Sequence, residues 1–279
     1  MGASDVGIVI VSYGTREKTL RCLSCLPPET ETVVVDNGSP DGSPAAIRAA
    51  FPHVRLIEAG ENLGFGRANN VGEATLSTSL VLYLNSDAYV TPGAIDAMAR
   101  AFADPSVVGA GGHLRNPDGS FQPCAARRLT LWAVFCEQFY LERLFRSYWL
   151  PEMAGGPVPV DQCMGAALTV RRGLERFDER FFLYCEDTDL CRRLSRHGRI
   201  VHVPEARVIH DLGSSSVGDR WRSVARYNRG KELYFRLHHG PVAAGACFLL
   251  NRLGAALRVV AGAALLRRGK VATFLRVLS

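Results

Sequence analysis

Several things are scarce in this 279-residue sequence, and each shortage narrows what the chain can be. The N-terminus, MGASDVGIVIVSYG, has no basic stretch ahead of an apolar one, so no secretory signal peptide is expected. Position 6 is Val6 rather than Ser or Thr, which argues against myristoylation of Gly2. The eight cysteines contain a single CxxC, Cys22 and Cys25, inside the apolar helical pattern LRCLSCL. No second pair follows, which argues against a zinc site. The expectation is reduced thiols in a cytosolic protein, several of them buried. Acidic residues are few from Arg192 onward, 4 Asp and Glu against 17 Lys and Arg, whereas residues 1–191 hold 23 acidic and 16 basic. Such a basic last third suits anionic lipid, phosphate or nucleic acid. A long uninterrupted apolar run is also missing. Residues 241–266 are strongly apolar, but Arg252 and Arg258 interrupt them, and the uncharged stretch 240–251 is only 12 residues. Arginine at a bilayer centre is costly. A helix or helical pair is therefore expected, packed on the domain, in a homodimer, or in the membrane interface with RRGK at 267–270 toward lipid phosphates. The apolar interleaving of GACFLLNRLGAAL suits a membrane surface better than a nucleic acid, so no nucleic-acid partner is expected.

What is present is an alternation of strand and helix patterns. VGIVIVS, TVVVD, VRLIEA, LVLYLNS and VVGAGGHL read as strands. Between them TREKTLRCLSCL, SPAAIRAAF, residues 66–76 and PGAIDAMARAFA read as helices. Continuous apolar strands between helices imply an α/β fold: a mostly parallel, Rossmann-like sheet with helices on both faces. Ligands of such sheets bind beyond the carboxyl ends of the strands. Polar residues collect at those ends: Ser12 and Tyr13, then Asp36-Asn37-Gly38-Ser39, then Glu61-Asn62, then Asn85-Ser86-Asp87. One such Asp is readily a helix cap; a set at one rim points to a ligand. Over residues 115–161 the alternation stops. This aromatic- and arginine-rich stretch reads as an inserted lid or recognition element on the acceptor side, before GAALTVRR resumes as a strand. The expected organisation is a catalytic domain over 1–215 and a basic, apolar helical region over 216–279.

In this order along the chain, VSYG, VVVDNGSPDG, NLGFGRANNVG, LYLNSDAYV and FFLYCEDTDLCRRL resemble the motifs of family 2 glycosyltransferases with the GT-A fold. Their flavour is that of bacterial rhamnosyltransferase-like enzymes of cell-wall and polysaccharide assembly. The resemblance spans residues 6–210. It implies inverting transfer of a sugar from a nucleotide diphosphate, with dTDP-rhamnose as leading donor and UDP-sugars next, usually with Mg²⁺ or Mn²⁺. The expected acceptor is a hydroxyl of a glycan or polyprenyl-linked precursor, and the expected location is cytoplasmic, with peripheral contact at the inner membrane face. By the resemblance Asp87 and His210 are metal ligands, Asp36 lies near the base and ribose, and Asp187 is the catalytic base. Glu186 would position the acceptor or share the catalytic work, and the loop DLGSSS after His210 would close on phosphate. Family members often carry Asp where this chain has Asn85. An amide still bonds a hydroxyl or water but lacks charge, which bears on how strongly a metal is held.

The residues read the same way from their chemistry. Charge grows on a diphosphate as the sugar leaves, and a divalent cation on hard oxygen ligands offsets it. In NLGFGRANNVG the glycines, Gly64 among them, let backbone approach a nucleotide while Asn62 and Asn69 or Asn70 bond ribose and loop groups; an ordinary glycine turn is the alternative. Asn85, Ser86, Ser12 and Tyr13 complete the expected nucleotide-sugar set. For Asp36 the alternative is an Asx turn at DNGS. Inverting transfer needs one base for the acceptor hydroxyl, a task for a partly desolvated carboxylate. Asp189 reads as a helix-start charge, and Arg192 or Arg193 as a partner for a carboxylate or a phosphate. His113, His197 and His202 read as structural. A tailoring transferase on a soluble small molecule is the nearest rival, and a non-catalytic GT-A-like binding protein the rival from another class.

Overall fold

The computed structural model describes residues 2, 5–211 and 220–278. In chain order they form β1 (Val6–Ser12), α1 (Arg16–Ser24), β2 (Thr32–Asp36), α2 (Ser43–Ala50), β3 (Arg55–Glu58), α3 (Phe65–Glu73), β4 (Leu80–Asn85), β5 (Ala88–Val90), α4 (Ala94–Ala101) and β6 (Val107–Arg115). There follow β7 (Ala125–Ala126), α5 (Leu131–Gln138), α6 (Glu142–Phe145), β8 (Val158–Val160), β9 (Gln162–Cys163), β10 (Ala167–Arg171), α7 (Glu186–Leu194), β11 (Arg199–His210), α8 (Arg220–Ala264) and α9 (Arg268–Leu278). By internal packing the chain divides into two units. One comprises the described residues of Met1–Ala126, Leu150–Phe182 and Glu186–Leu212; the other those of Arg127–Trp149, Leu183–Cys185 and Gly213–Ser279. Within the segment 115–161, residues 127–149 therefore group with the C-terminal helices.

Alternation builds the first unit. Val6, Ile8 and Ile10 of β1 and Leu80, Leu82 and Leu84 of β4 face one core with Cys22 and Leu23 of α1, Ile47 of α2 and Met98 of α4. Val9, Val81 and Tyr83 face the opposite core with Ala68 of α3 and Leu190 and Leu194 of α7. A strand covered on both faces needs apolar residues at successive positions, hence the unbroken runs. Each fully buried Ile or Leu contributes about 1.5–3 kcal/mol.

The sheet order is β3-β2-β1-β4-β10-β6-β11-β5, with β8 also paired to β11. β3, β2, β1 and β4 are mutually parallel, as β6 and β11 are. β10 runs antiparallel between β4 and β6, so the sheet is mixed and the fifth expected strand, β6, does not lie beside β4. The first four strand ends still share one rim. All eight cysteines are free thiols.

In the second unit α5 begins at Thr130, whose side chain accepts Ala133 N–H at 3.1 Å. α8 is broken at Gly240 (φ 85°), just ahead of Pro241. Lys231, fully buried, pairs with Glu137 at 3.0 Å, and Gln138 Nε2 donates to Asn251 Oδ1 at 3.2 Å. The two arginines that interrupt the apolar run are satisfied by backbone. Arg258 Nη1 donates to Gln138 O at 2.8 Å and Gly254 O at 2.9 Å, and Arg252 Nη1 to Leu278 O at 2.9 Å. By length and composition alone α8 is long and apolar enough to cross a membrane.

Candidate active site

The end of β4 decides the role open to Asp87. β5 begins one residue later and Gly93 precedes α4, so Asp87 caps no helix. Instead β11 returns antiparallel to β5, pairing His210 with Ala88, and Asp211 N–H donates to Asp87 O at 3.0 Å. This sets His210 Nε2 3.3 Å from Asp87 Oδ1 and 3.3 Å from Asn85 Nδ2. His210 Nδ1 lies 2.7 Å from Gln122 Oε1, and Gln122 Nε2 is committed to Asn116 Oδ1 at 2.9 Å. Nδ1 therefore donates to Gln122, and Nε2 is the nitrogen that faces Asp87 and Asn85. Among the described residues no group of three or more His, Cys, Asp or Glu gathers as a metal site. One carboxylate and one imidazole fit a divalent cation that takes its other ligands from water and a diphosphate, as Mg²⁺ and Mn²⁺ do. The loop expected to close on phosphate lies outside the described residues except for Asp211, which pairs with Lys18 at 2.5 Å.

Ser12 is paired in register with Asp36. Its hydroxyl lies 3.0 Å from Thr19 Oγ1, and Thr15 Oγ1 lies 3.0 Å from Ser86 Oγ, so one hydroxyl chain links the ends of β1 and β4. Tyr13 is 51% exposed at the rim. Asp36 Oδ1 accepts Gly38 and Ser39 N–H at 3.1 and 2.9 Å, the Asx turn that was the alternative reading of this residue, while its other oxygen is buried. Asn62 Oδ1 accepts Gly64 N–H at 3.0 Å, and Asn37 Nδ2 donates to Gly64 O at 3.2 Å. Gly64 has φ +83°, and a Cβ there would stand 2.5 Å from Phe182 O. Asn69, fully buried on α3, donates to Phe65 O at 3.0 Å.

Glu186 and Asp187 open α7. Asp187 Oδ2 accepts Gly165 N–H at 2.9 Å and Oδ1 accepts Thr188 N–H at 2.7 Å. Burial raises the Asp187 pKa and these bonds oppose the rise. Glu186 receives less help. Burial, then the Asp187 charge, push it from 4.5 up to about 8, so it is protonated at neutral pH. Asp189 is spent on Arg193 at 2.7 Å, and Arg193 also holds Glu175 at 2.5 Å. The two acidic motifs meet through one short piece of backbone. Gly165 N–H serves Asp187, and the next residue, Ala166, accepts Asn85 N–H at 3.0 Å.

Buried polar side-chain atoms without a partner are rare in proteins and mark missing ligands or water. Among the described residues there are four: Asp36 Oδ2, Asn37 Oδ1, Asn69 Oδ1 and Glu186 Oε2. Three belong to residues expected from the sequence. Asn37, the neighbour of Asp36, was readable as the next polar residue of the strand end. Gln122 and Gly165 had no such signal, because they act only on side chains distant in sequence.

The candidate site thus combines a parallel strand rim with orphaned polar atoms, an Asp–His pair at one strand end and a buried carboxyl pair. The chain belongs to glycosyl transferase family 2, whose description matches residues 8–156. It is 32% identical over 258 residues to the N-acetylglucosaminyl-diphospho-decaprenol L-rhamnosyltransferase of Mycobacterium tuberculosis, covering 83% of this chain and 84% of that protein. It is 25% identical over 229 residues to rhamnosyltransferase WbbL of Escherichia coli K12, covering 74% and 83%. Among solved structures, the mannosyltransferase PcManGT from Pyrobaculum calidifontis, in complex with GDP-Man and Mn²⁺, matches with TM-score 0.58 and 17% identity over 98% of this chain and 85% of that one. S. aureus TarS 1-349 matches with TM-score 0.53 and 15% identity, over 98% and 90%. The chain is a rhamnosyltransferase-like, nucleotide-sugar-dependent glycosyltransferase.

Proposed function

We propose that the chain transfers rhamnose from dTDP-rhamnose, with inversion, to a hydroxyl of an N-acetylglucosaminyl-diphospho-polyprenol in cell-envelope assembly, working in the cytoplasm at the inner membrane face. The relative from Mycobacterium tuberculosis, aligned over most of both chains, supports acceptor and sugar. The observation that carries the chemistry is the 165–166 backbone that serves both Asn85 and Asp187. It favours a donor's leaving group and an acceptor's hydroxyl sharing one centre.

In this reading Asp36, Asn37, Asn62, Gly64 and Asn69 hold base and ribose, and Ser12, Tyr13, Asn85 and Ser86 line the rest of the donor. Asp87 and His210 would hold Mg²⁺ or Mn²⁺, which when bound offsets charge on the leaving diphosphate. Asp187 accepts the proton of the acceptor hydroxyl as its oxygen attacks the anomeric carbon and the bond to the diphosphate breaks. Gly165 N–H on Oδ2 and the N–H and hydroxyl of Thr188 on Oδ1 fix the plane of Asp187, and Oδ2, with one bond, keeps a lone pair for the proton. Glu186, protonated at neutral pH, donates a hydrogen bond that orients the acceptor.

The test is thermal stability against a panel of nucleotide diphosphates, with and without Mn²⁺. A ligand at a hundred times its Kd stabilises by about 2.7 kcal/mol. The expected result is stabilisation by dTDP that needs Mn²⁺ and is lost in Asp87→Ala. No shift with any nucleotide would favour the non-catalytic reading, for which Asn85 speaks. A shift indifferent to metal would remove Asp87 and His210 from the ligands.

A further inference from the structure

The second unit has a cavity of about 290 Å³ that the donor reading does not use. Its lining includes Trp221, Phe248, three arginines (Arg229, Arg252 and Arg276) and a single carboxylate, Glu232. Glu232 Oε1 accepts Asn251 Nδ2 at 2.8 Å, and Asn251 is buried. Arg252 lies over the Phe248 ring at 4.8 Å and Arg276 over the Trp221 ring at 6.0 Å. Arg229 makes no ion pair or hydrogen bond among the described residues and is exposed. Guanidinium groups in excess, with aromatic side chains beside them, match a phosphoryl group, which guanidinium binds through paired N–H donors.

The same helix says what carries that phosphoryl group. Between residues 241 and 266 every exposed position is apolar, and Val242, Leu249, Leu253 and Val260 recur on one stripe at helical spacing. Val260 is 67% exposed and Leu249 57%. An apolar surface of this kind marks a protein or membrane partner. The charges choose between them. No acidic residue follows Glu232, while Arg252, Arg258, Arg267, Arg268, Lys270 and Arg276 do. An apolar stripe in a segment after which the chain carries cations and no acid complements anionic headgroups over hydrocarbon. Arg252 and Arg258, the residues that argued against a membrane span, are held by backbone carbonyls of their own unit.

We propose that this cavity binds the phosphoryl headgroup of an anionic membrane lipid, with residues 241–266 lying in the bilayer interface and the lipid chains against Leu249 and Leu253. The proposal does not depend on the identity of the donor or on transfer.

The test is co-sedimentation of the full chain with phosphatidylcholine vesicles, with and without phosphatidic acid. Phosphatidic acid should raise binding, and R229Q/R276Q should lower the phosphatidic-acid-dependent part roughly tenfold or more, each cation near the surface being worth a severalfold change. R267Q/K270Q removes equal charge outside the cavity and should cost less. L249E/L253E should abolish binding to every vesicle. Melting temperatures of all variants check that they fold. Equal losses in the two charge variants, or no effect of phosphatidic acid, would overturn the cavity's role. Stabilisation by inorganic pyrophosphate without vesicle binding would assign the cavity to a soluble phosphate and overturn the lipid assignment.

Discussion

Replacing Glu186 by Gln should stabilise the protein in alkali and leave it unchanged in acid. Glu186 is 6% exposed, one carboxyl oxygen has no partner among the described residues, and its pKa stands at about 8 against an ordinary 4.5. Below 4.5 the carboxyl is protonated in folded and unfolded chains alike and makes no pH-dependent difference. Above it the unfolded chain ionises while the folded one keeps its proton, so stability falls as pH rises. The fall runs at about 1.4 kcal/mol per pH unit and ends near pH 8, where the folded carboxyl ionises as well. Over that window the ceiling is about 5 kcal/mol, a large share of a domain's stability. Gln at the same place has no proton to lose and escapes the whole loss. Urea unfolding of wild type and Glu186→Gln at about pH 4 and about pH 9 reads this directly, as a gap between the proteins that opens only at the higher pH. A gap of the same size at both values would refute the reasoning, because the difference would then come from packing rather than ionisation. Such a cost persists in a protein when the neutral acid has work to do, which fits the proposed role of Glu186 in orienting the acceptor.

Asp187→Asn should lower kcat by about 10²–10⁴-fold while leaving the nucleotide-dependent melting shift intact; losing that shift instead would make Asp187 a binding residue. Gln122→Ala frees the His210 ring and should weaken Mn²⁺ dependence by about 10–100-fold, read as the metal concentration for half-maximal nucleotide stabilisation. Gly64→Ala combines a +83° φ with a Cβ 2.5 Å from Phe182 O and should destabilise by about 1–3 kcal/mol in denaturant unfolding.

The elements of the first unit were legible because each is written locally. VGIVIVS and LVLYL are apolar at successive positions since both faces of β1 and β4 are covered, and that demand is visible in the residues themselves. The polar strand ends were legible for a related reason. A polar residue closing such a run needs a hydrogen-bond partner, as Ser12 finds in Thr19 and Asp36 in the amides of Gly38 and Ser39. Sheet order was not legible, because the β10 segment GAALTVRR suits an antiparallel place between β4 and β6 as well as any other; pairing is decided by what the rest of the sheet leaves open.

The same division runs through the site. Strand-end position singled out Asp36 and Asp87, the glycine-rich motif singled out Asn69 or Asn70, and the resemblance to family 2 glycosyltransferases singled out Glu186, Asp187 and His210. Only tertiary structure could decide that Gln122 sets the His210 tautomer, that Gly165 and Ala166 join Asp187 to Asn85, and that Arg252 and Arg258 turn to backbone carbonyls. Local sequence determines which conformations and chemistries a segment can offer. Which partner each polar group finds depends on residues far along the chain, brought near by burial of the apolar faces.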